Sequence, residues 1–327
     1  MVKEWREGHL KTYAMAIKSM KPNRGDQRST CGRARLIFTQ CVLAVVCCAL
    51  MSCGGSPLDK ALKNPEKVTA LDLSRQHLDE IPQTIGSLTN LEKLSLSGNH
   101  LRSIPHQVGR LRKLSRLELN GNYLSILPNE IALLTNLHRL NVSGNELVSL
   151  PPQIGFLREL EELNIDQNRI GELPKEISNL GKLRELIAYR NQIKTLPRQI
   201  SNLGNLTRLV ADKNYLVELP MEIGNLSQLQ CLVLGDNNIE RLPPEIGKLS
   251  SLDELWIDNN RLTELPSEVC SLKKLRILHL THNQLRYLPE GIANLNSLEQ
   301  LYLTGNMFDE AERKRVRDLL PKTRIEF

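Results

Sequence analysis

The residue types that could support metal or nucleophilic chemistry are scattered along this chain. His279 and His282 lie close together in sequence, and His77 lies 23 residues before His100. Neither pair is accompanied by the further ligands that close a zinc or transition-metal site. Cys231 has no neighbouring histidine and acid of the kind that activates a nucleophile. The sequence therefore predicts a non-enzymatic protein with no catalytic residues, no bound metal and no cofactor.

A different chemistry, covalent lipidation, is indicated near the N-terminus. Arg33 and Arg35 precede an apolar run over residues 36–51, and small residues follow it. This order of charged, apolar and small residues is typical of a secretory signal. The apolar run is also short for a membrane-spanning helix. A signal anchor that is not cleaved and a buried apolar helix are the alternatives that the pattern leaves open.

The end of this run, Leu50-Met51-Ser52-Cys53, resembles the lipobox of bacterial lipoproteins. The resemblance implies that residues 1–52 form a signal peptide that is cut just before Cys53. It also implies that Cys53 becomes the lipidated N-terminus, and several acyl chains anchor a protein far more firmly than one. In many bacterial lipoproteins an aspartate directly after the lipidated cysteine retains the protein at the inner membrane. Gly54 takes that place here, so the resemblance favours the outer membrane or the cell surface.

The positive charge of the chain is concentrated in this leader. The whole sequence has 43 Lys and Arg against 37 Asp and Glu, a net charge of +6. Residues 1–53 contain nine basic and three acidic residues, which is also +6, so the remainder is formally neutral. Binding to nucleic acid requires a basic surface on the folded domain. The composition therefore argues against a nucleic-acid partner.

From residue 68 to residue 307, apolar residues recur every 23 residues through ten copies and part of an eleventh. The alternation of Leu94, Ser95 and Leu96 predicts a short strand with both leucines facing inward. A single copy cannot bury its own leucines, but parallel strands stacked about 4.8 Å apart would line them into one continuous core. One copy consists of Leu91, Leu94, Leu96, Asn99, Leu101, Ile104, Pro105, Val108 and Leu111.

This pattern resembles that of the leucine-rich repeat proteins. The resemblance implies an α/β fold: a right-handed, horseshoe-shaped solenoid with a parallel β-sheet on its concave face and short helical or irregular turns on its convex face. The consensus sequence of the repeat is similar to that of bacterial repeat proteins and of the intracellular Ras-group repeats. The predicted organisation is a signal peptide over 1–52, a lipidated tether over 53–57, an N-terminal cap over 58–67, ten full repeats and a partial eleventh over 68–308, and a C-terminal helical cap over 309–327.

Two ladders of identical residues are predicted to hold the scaffold together. An inward-facing asparagine at the end of each strand can bond the backbone groups of its own turn and of the adjoining turn. A proline marks the outer return path of each copy, because it fixes φ and has no amide donor. The asparagines are Asn99, Asn122, Asn145, Asn168, Asn191, Asn214, Asn237, Asn260, Asn283 and Asn306, and Gln76 takes this place in the first copy.

Function is then expected on the concave residues that vary between copies. The residue between the inward leucines changes from polar to apolar along the array, which predicts a solvated apolar patch from Ile187 to Trp256 with Asp166, Asp212 and Asp258 beside it. Such aromatic residues commonly carry binding energy, although Ile, Val and Trp also have high strand propensity. The predicted partner-binding residues are Ile187, Tyr189, Val210, Tyr215, Val233, Trp256, His279 and Tyr302.

Together these features predict a monomeric recognition module, anchored to the membrane of a bacterial envelope through Cys53. Its partner would be a protein or another macromolecule that contacts the concave face. The resemblance to Ras-group repeats supplies the alternative, an intracellular signalling scaffold in the cytoplasm that binds a small GTPase or another signalling protein.

Overall fold

Strands of three residues form at the places where inward leucines alternate with outward residues. The computed structural model describes residues 55–327, and within this range it has twelve strands in one parallel sheet, in chain order. The strands are β1 (Ala70–Asp72), β2 (Lys93–Ser95), β3 (Arg116–Glu118), β4 (Arg139–Asn141), β5 (Glu162–Asn164), β6 (Glu185–Ile187), β7 (Arg208–Val210), β8 (Cys231–Val233), β9 (Glu254–Trp256), β10 (Ile277–His279), β11 (Gln300–Tyr302) and β12 (Arg324–Glu326).

Equivalent positions of successive copies lie directly opposite each other in the sheet. Leu71 pairs with Leu94, and Leu94 pairs with Leu117, so the middle leucines of β1 to β11 lie in one buried row. The same register continues to β11, and β12 then pairs with β11 at the end of the sheet. The predicted α/β solenoid with a parallel sheet is confirmed.

Short 3₁₀ helices carry the chain back along the convex side. A proline with φ between −52° and −69° precedes each of those in the repeats, as its fixed φ allows. The helices turn one isoleucine or valine into the core in each copy, such as Ile85 and Val108. They span Gln83–Ser87, His106–Arg110, Asn129–Leu133, Pro152–Phe156, Lys175–Asn179, Arg198–Asn202, Met221–Asn225, Pro244–Lys248, Ser267–Ser271 and Glu290–Asn294.

The asparagine ladder bonds neighbouring turns as the sequence predicted. The side-chain amide of Asn168 donates to the carbonyl oxygens of Val142 and Ile165, each at 3.0 Å. Its Oδ1 accepts the backbone N–H of Leu147 at 3.0 Å. One buried carboxamide therefore satisfies backbone groups in its own copy and in the preceding copy. In the first copy the side-chain amide of Gln76 donates only to the carbonyl oxygen of Ser74 in its own turn.

Two α-helices flank the repeats. Helix α1 (Pro57–Lys63) begins with a capping box, in which Ser56 and Asp59 each accept the other's backbone N–H, and it buries Leu58 against the first copy. A 3₁₀ helix over Pro65–Lys67 links it to β1. Both elements lie in the stretch where the sequence predicts the N-terminal cap.

Helix α2 (Glu310–Leu319) follows the last repeat. Asp309 caps it by accepting the backbone N–H of Glu312, and Val316 is its fully buried residue. The chain then adds β12, whose Glu326 carbonyl accepts the backbone N–H of Leu303. The final strand therefore covers the edge that β11 would otherwise expose.

The predicted signal peptide and Cys53 lie outside the described residues, as does the start of the tether. Between residues 55 and 327, no helix combines the length and the apolar character needed to cross a membrane.

One position in each copy, three residues after the end of the strand, adopts a positive φ. Gly98, Gly121, Gly144 and Gly305 occupy it with φ between 61° and 78°, at little cost for a residue without a Cβ. Seven other copies place a larger residue there, with φ between 49° and 55°: Arg75, Gln167, Arg190, Lys213, Asp236, Asn259 and His282. L-residues disfavour this left-handed conformation, so each of these seven residues carries a backbone cost.

We expect Arg190→Gly to raise the free energy of unfolding by about 1 kcal/mol, because it removes the cost of a left-handed L-residue. Gly121→Arg should lower it by a similar amount, since a Cβ added at Gly121 meets no atom closer than 3.6 Å and only the backbone cost remains. Urea denaturation of the two variants and the parent measures both changes. Shifts of the same sign in the two variants would contradict the assignment of strain to this position.

Candidate binding surface on the concave face

The parallel register places the last residues of β1 to β11 in one unbroken row on the concave face, which we call the central row. Asp72 lies opposite Ser95 at one end, and His279 lies opposite Tyr302 at the other. The row consists of Asp72, Ser95, Glu118, Asn141, Asn164, Ile187, Val210, Val233, Trp256, His279 and Tyr302. The change from polar to apolar side chains therefore runs along a single continuous surface.

The apolar part of the central row is not the solvated patch that the sequence predicted. Val210 is fully buried, and Val233 and Trp256 are only 3% and 7% exposed. The concave curvature crowds side-chain tips from adjacent strands, so each of these residues is covered by its neighbours in the row and by the rows on either side. Ile187, at the edge of this stretch, keeps partial exposure.

From the end of the buried stretch at Trp256, three aromatic side chains stack along the row as an aromatic ladder. The ring centroids of Trp256 and His279 are 4.7 Å apart with an interplanar angle of 18°. Those of His279 and Tyr302 are also 4.7 Å apart, at 39°. Trp256 donates through Nε1 to Glu254 at 3.0 Å, and the Tyr302 hydroxyl donates to Gln300 at 2.6 Å. These bonds fix the rings, so the ladder offers a rigid, partly exposed surface at β10 and β11.

The two predicted tyrosines lie beside the central row. Lys213 Nζ lies 5.4 Å from the centroid of the Tyr189 ring, a cation–π distance. A hydrogen bond with the Tyr189 side chain is the main reason that the pKa of Lys213 is raised, so the ammonium stays charged. Tyr215 lies after the ladder asparagine Asn214, on the turn that leaves the sheet, and it is 53% exposed.

Three aspartates lie in the row next to the central row, and all three are buried. Asp166 Oδ1 accepts the backbone N–H of Tyr189 at 2.8 Å. The pKa of Asp166 is raised to about 7, mainly by burial and also by the nearby Asp212, while the hydrogen bond from Tyr189 opposes this rise. Asp166 therefore changes charge near neutral pH, although the sequence marked it only as part of a polar rim.

The third aspartate connects this row to the aromatic ladder. Asp258 Oδ1 lies 3.3 Å from His279 Nδ1, so a protonated His279 would form an ion pair there. Gly235 makes room for this carboxylate, because a Cβ at that position would lie 2.8 Å from Asp258 Oδ1. The absence of a side chain at Gly235 thus helps to orient His279 between its aromatic neighbours.

A hollow of about 180 Å³ opens on the polar half of the concave face, over β3 to β6. Sequence reasoning did not select it, because its members are ordinary charged residues whose importance depends on being brought together. The first residues of neighbouring strands form a basic block followed by an acidic block. This is the sequence signal that could have indicated the hollow. The lining residues are Arg116, Glu118, Arg139, Leu140, Asn141, Glu162, Leu163, Asn164, Glu185 and Ile187.

The described part of the chain contains no group of three or more His, Cys, Asp or Glu side chains that could hold a metal ion. Cys231 and Cys270 are both buried, and burial is the main cause that raises the pKa of the Cys270 thiol.

We expect Asp166→Asn to stabilise the protein increasingly as the pH rises from about 4 to about 7. In that range the folded protein retains a proton that the unfolded chain has released, so raising the pH destabilises the parent by at most about 1.4 kcal/mol per pH unit. Asparagine removes this dependence while its Oδ1 still accepts the Tyr189 N–H. Thermal melting across the pH range measures the difference.

Asp72→Asn is the matched control for this prediction. Asp72 lies on the same face, but hydrogen bonds from Ser74 lower its pKa, so its replacement should slightly destabilise the protein at neutral pH. A difference between Asp166→Asn and the parent that stays constant from pH 4 to pH 7 would contradict the assignment.

Comparison with known proteins agrees with this architecture. The chain matches the leucine-rich repeat region family over residues 153–234 and 220–320, and two further leucine-rich repeat families over 66–124 and 136–157. No curated protein sequence matches it. Among solved structures it is similar to an internalin (inlF) from Listeria monocytogenes, with 24% identity, a TM-score of 0.64 and coverage of 81% of this chain and 82% of that chain.

Two further structures extend the comparison. The functional domain of InlJ from Listeria monocytogenes is 26% identical, with a TM-score of 0.63 and coverage of 73% of this chain and 49% of that chain. The plant peptide hormone receptor RGFR1, in complex with RGF2, is 26% identical, with a TM-score of 0.50 and coverage of 73% and 52%. With its repeats, its sheet and the family match in agreement, this chain belongs to the leucine-rich repeat proteins.

Proposed function

We propose that this protein recognises a protein or peptide partner through its concave face. The observation that carries the proposal is the contrast between rows: the middle leucine repeats in all eleven copies and the ladder asparagine in all but the first, whereas the central row changes type along one continuous sheet. Core packing and bonding between turns explain why the inward rows repeat. They do not explain why the central row changes. The similar plant receptor RGFR1 forms a complex with RGF2, which is consistent with use of this fold for recognition.

The accessible parts of the face refine which residues would contact the partner. The hollow, Ile187, Tyr189 and the aromatic ladder reach solvent at least in part, whereas Val210 and Val233 support them from below. The larger side chains at the positive-φ position add to this surface. Arg190 and Lys213 occupy that position with φ of 53°, although glycine would adopt it at lower cost.

We further propose that the solenoid is a lipoprotein of a bacterial envelope, held through Cys53. The sequence around Cys53 supports this proposal. Helix α1 begins at Pro57, so the tether over residues 54–56 spans at most about 11 Å when extended. A tether of that length would hold the concave face near the membrane, which favours a partner in the same envelope or one that approaches it closely.

Site-specific photo-crosslinking in the native cell tests recognition by the concave face. A benzophenone side chain at position 187 should yield an adduct with a discrete protein, because Ile187 borders the hollow. The same group at Val217, which is 49% exposed on the turn away from the sheet, is the matched control and should give none. Adducts from position 217 alone, or from neither position, would count against the proposed face.

The intact mass of the membrane-extracted protein tests the anchor, with Cys53→Ala measured alongside. We expect a mature chain that starts at Cys53 and carries added acyl mass, and we expect the variant to lack that mass. An unmodified chain that still contains residues 36–51 would refute the lipoprotein proposal and favour the intracellular scaffold.

A further inference from the structure

The first position of the strands carries charges in blocks. Lys93, Arg116 and Arg139 are basic in β2 to β4, and Glu162 and Glu185 are acidic in β5 and β6. Arg116 pairs in register with Arg139, and Glu162 pairs with Glu185, so like charges lie directly opposite each other. Such pairs destabilise a sheet by about 0.2–1 kcal/mol each. An alternating order would have avoided this cost.

Attraction occurs mainly where the blocks meet. Arg139 lies 3.0 Å from Glu162, and these side chains are half exposed, so the pair contributes little to stability. Burial raises the pKa of Glu162, and the neighbouring Glu185 raises it as well, while Arg139 lowers it. Glu185 pairs in register with Arg208 on its other side, so Arg139 and Arg208 border the acidic block. In the basic block, Arg116 is exposed and forms an ion pair with Glu118 at 2.7 Å.

The hollow lies across this boundary between blocks. Arg116 and Arg139 line its end over β3 and β4, and Glu162 and Glu185 line its end over β5 and β6. Between them Asn141 and Asn164 provide hydrogen-bonding groups, and Ile187 provides an apolar wall at the acidic end. Glu118 also lines the end over β3, where it pairs with Arg116, so the cavity has both arginines at one end and two of its three glutamates at the other.

We propose that this hollow binds an extended peptide segment that carries one acidic and one basic side chain, with the acid over β3 and β4 and the base over β5 and β6. The inference rests on the proposed recognition function and names the chemistry of the partner. The centres of the two blocks are two strand spacings apart, about 10 Å. An extended chain covers about 3.3 Å per residue, so the acid and the base lie about three residues apart.

The alternatives fit the cavity less well. A segment with only acidic side chains would meet Glu162 and Glu185 at one end, and a segment with only basic side chains would meet Arg116 and Arg139 at the other. A nucleic-acid backbone would face the same acidic end. Both ends are satisfied at once only by a ligand of mixed charge, and Ile187 can then pack against the aliphatic part of its basic side chain.

A displayed library of random twelve-residue peptides, selected on the folded repeat protein, tests this inference. The parent should enrich peptides with an acid and a base about three residues apart. The neutralising pair Arg116→Gln and Arg139→Gln should remove the preference for the acid and keep the base. The pair Glu162→Gln and Glu185→Gln should do the reverse. Arg110→Gln with Arg198→Gln, at exposed convex positions, is the matched control and should select like the parent.

A synthetic peptide of the enriched sequence gives the quantitative measure. Its Kd should rise about tenfold with either neutralised pair, since a charge-assisted hydrogen bond contributes enough for that change. The melting temperature should be unchanged or raised, because each pair of substitutions removes like-charge repulsion. A loss of binding that accompanies a lowered melting temperature would indicate a structural role and overturn the inference.

Two other outcomes are decisive against it. Enrichment of peptides that lack the acid–base pair, or the same enrichment on all variants, would overturn the charge assignment while leaving recognition by the concave face in place. A parent that enriches no peptide would also overturn it, and crosslinking at position 187 would then decide separately whether the concave face binds a partner of another kind.

Discussion

The structure depends on one interaction repeated along its length, the bond that each ladder asparagine makes between its own turn and the preceding turn. Asn168 satisfies two carbonyl oxygens and one backbone N–H that would otherwise be buried without partners, and leaving each unmet would cost about 1–3 kcal/mol. Because the bonds require a constant offset between copies, they also align the strands. Every row of the sheet, including the central row, follows from that alignment.

A fixed register makes the two sides of the sheet independent. The inward side must repeat, since Leu94 has to pack against Leu71 and Leu117 in the adjacent copies. The concave side carries no such requirement, so its residues are free to change from Asp72 to Tyr302. The caps complete this division, because α1 and α2 with β12 cover the ends where the core would otherwise meet solvent. Scaffold and recognition surface can therefore vary separately in one chain.

The same separation explains what the sequence could predict. Strand positions, the asparagine bonds and the proline-led turns depend on local spacing, and all of them are as the repeat indicated. The exposure of Val210 and Trp256 depends on how side chains from several copies crowd inside a curved sheet, and spacing alone does not contain that information. The hollow was missed for a related reason. Arg116 and Glu185 are unremarkable in sequence, three copies apart, and they line one cavity only because the register aligns them.

Residues whose charge or backbone conformation is unfavourable for the repeat fold therefore indicate where function lies. In a chain where propensity, packing and hydrogen bonding otherwise agree, opposed like charges and left-handed Arg190 and Lys213 are local costs without a scaffold benefit. The opposed like charges lie on the concave side over β3 to β6, where the buried Asp166 also lies, and left-handed L-residues recur at its edge in seven copies from Arg75 to His282. In the aromatic ladder, by contrast, Trp256 and Tyr302 are hydrogen-bonded within their own strands, and the ladder adds rigidity outside this region. Where strain and charge repulsion coincide on one face, binding a partner of opposite charge order is the physical benefit that can offset them.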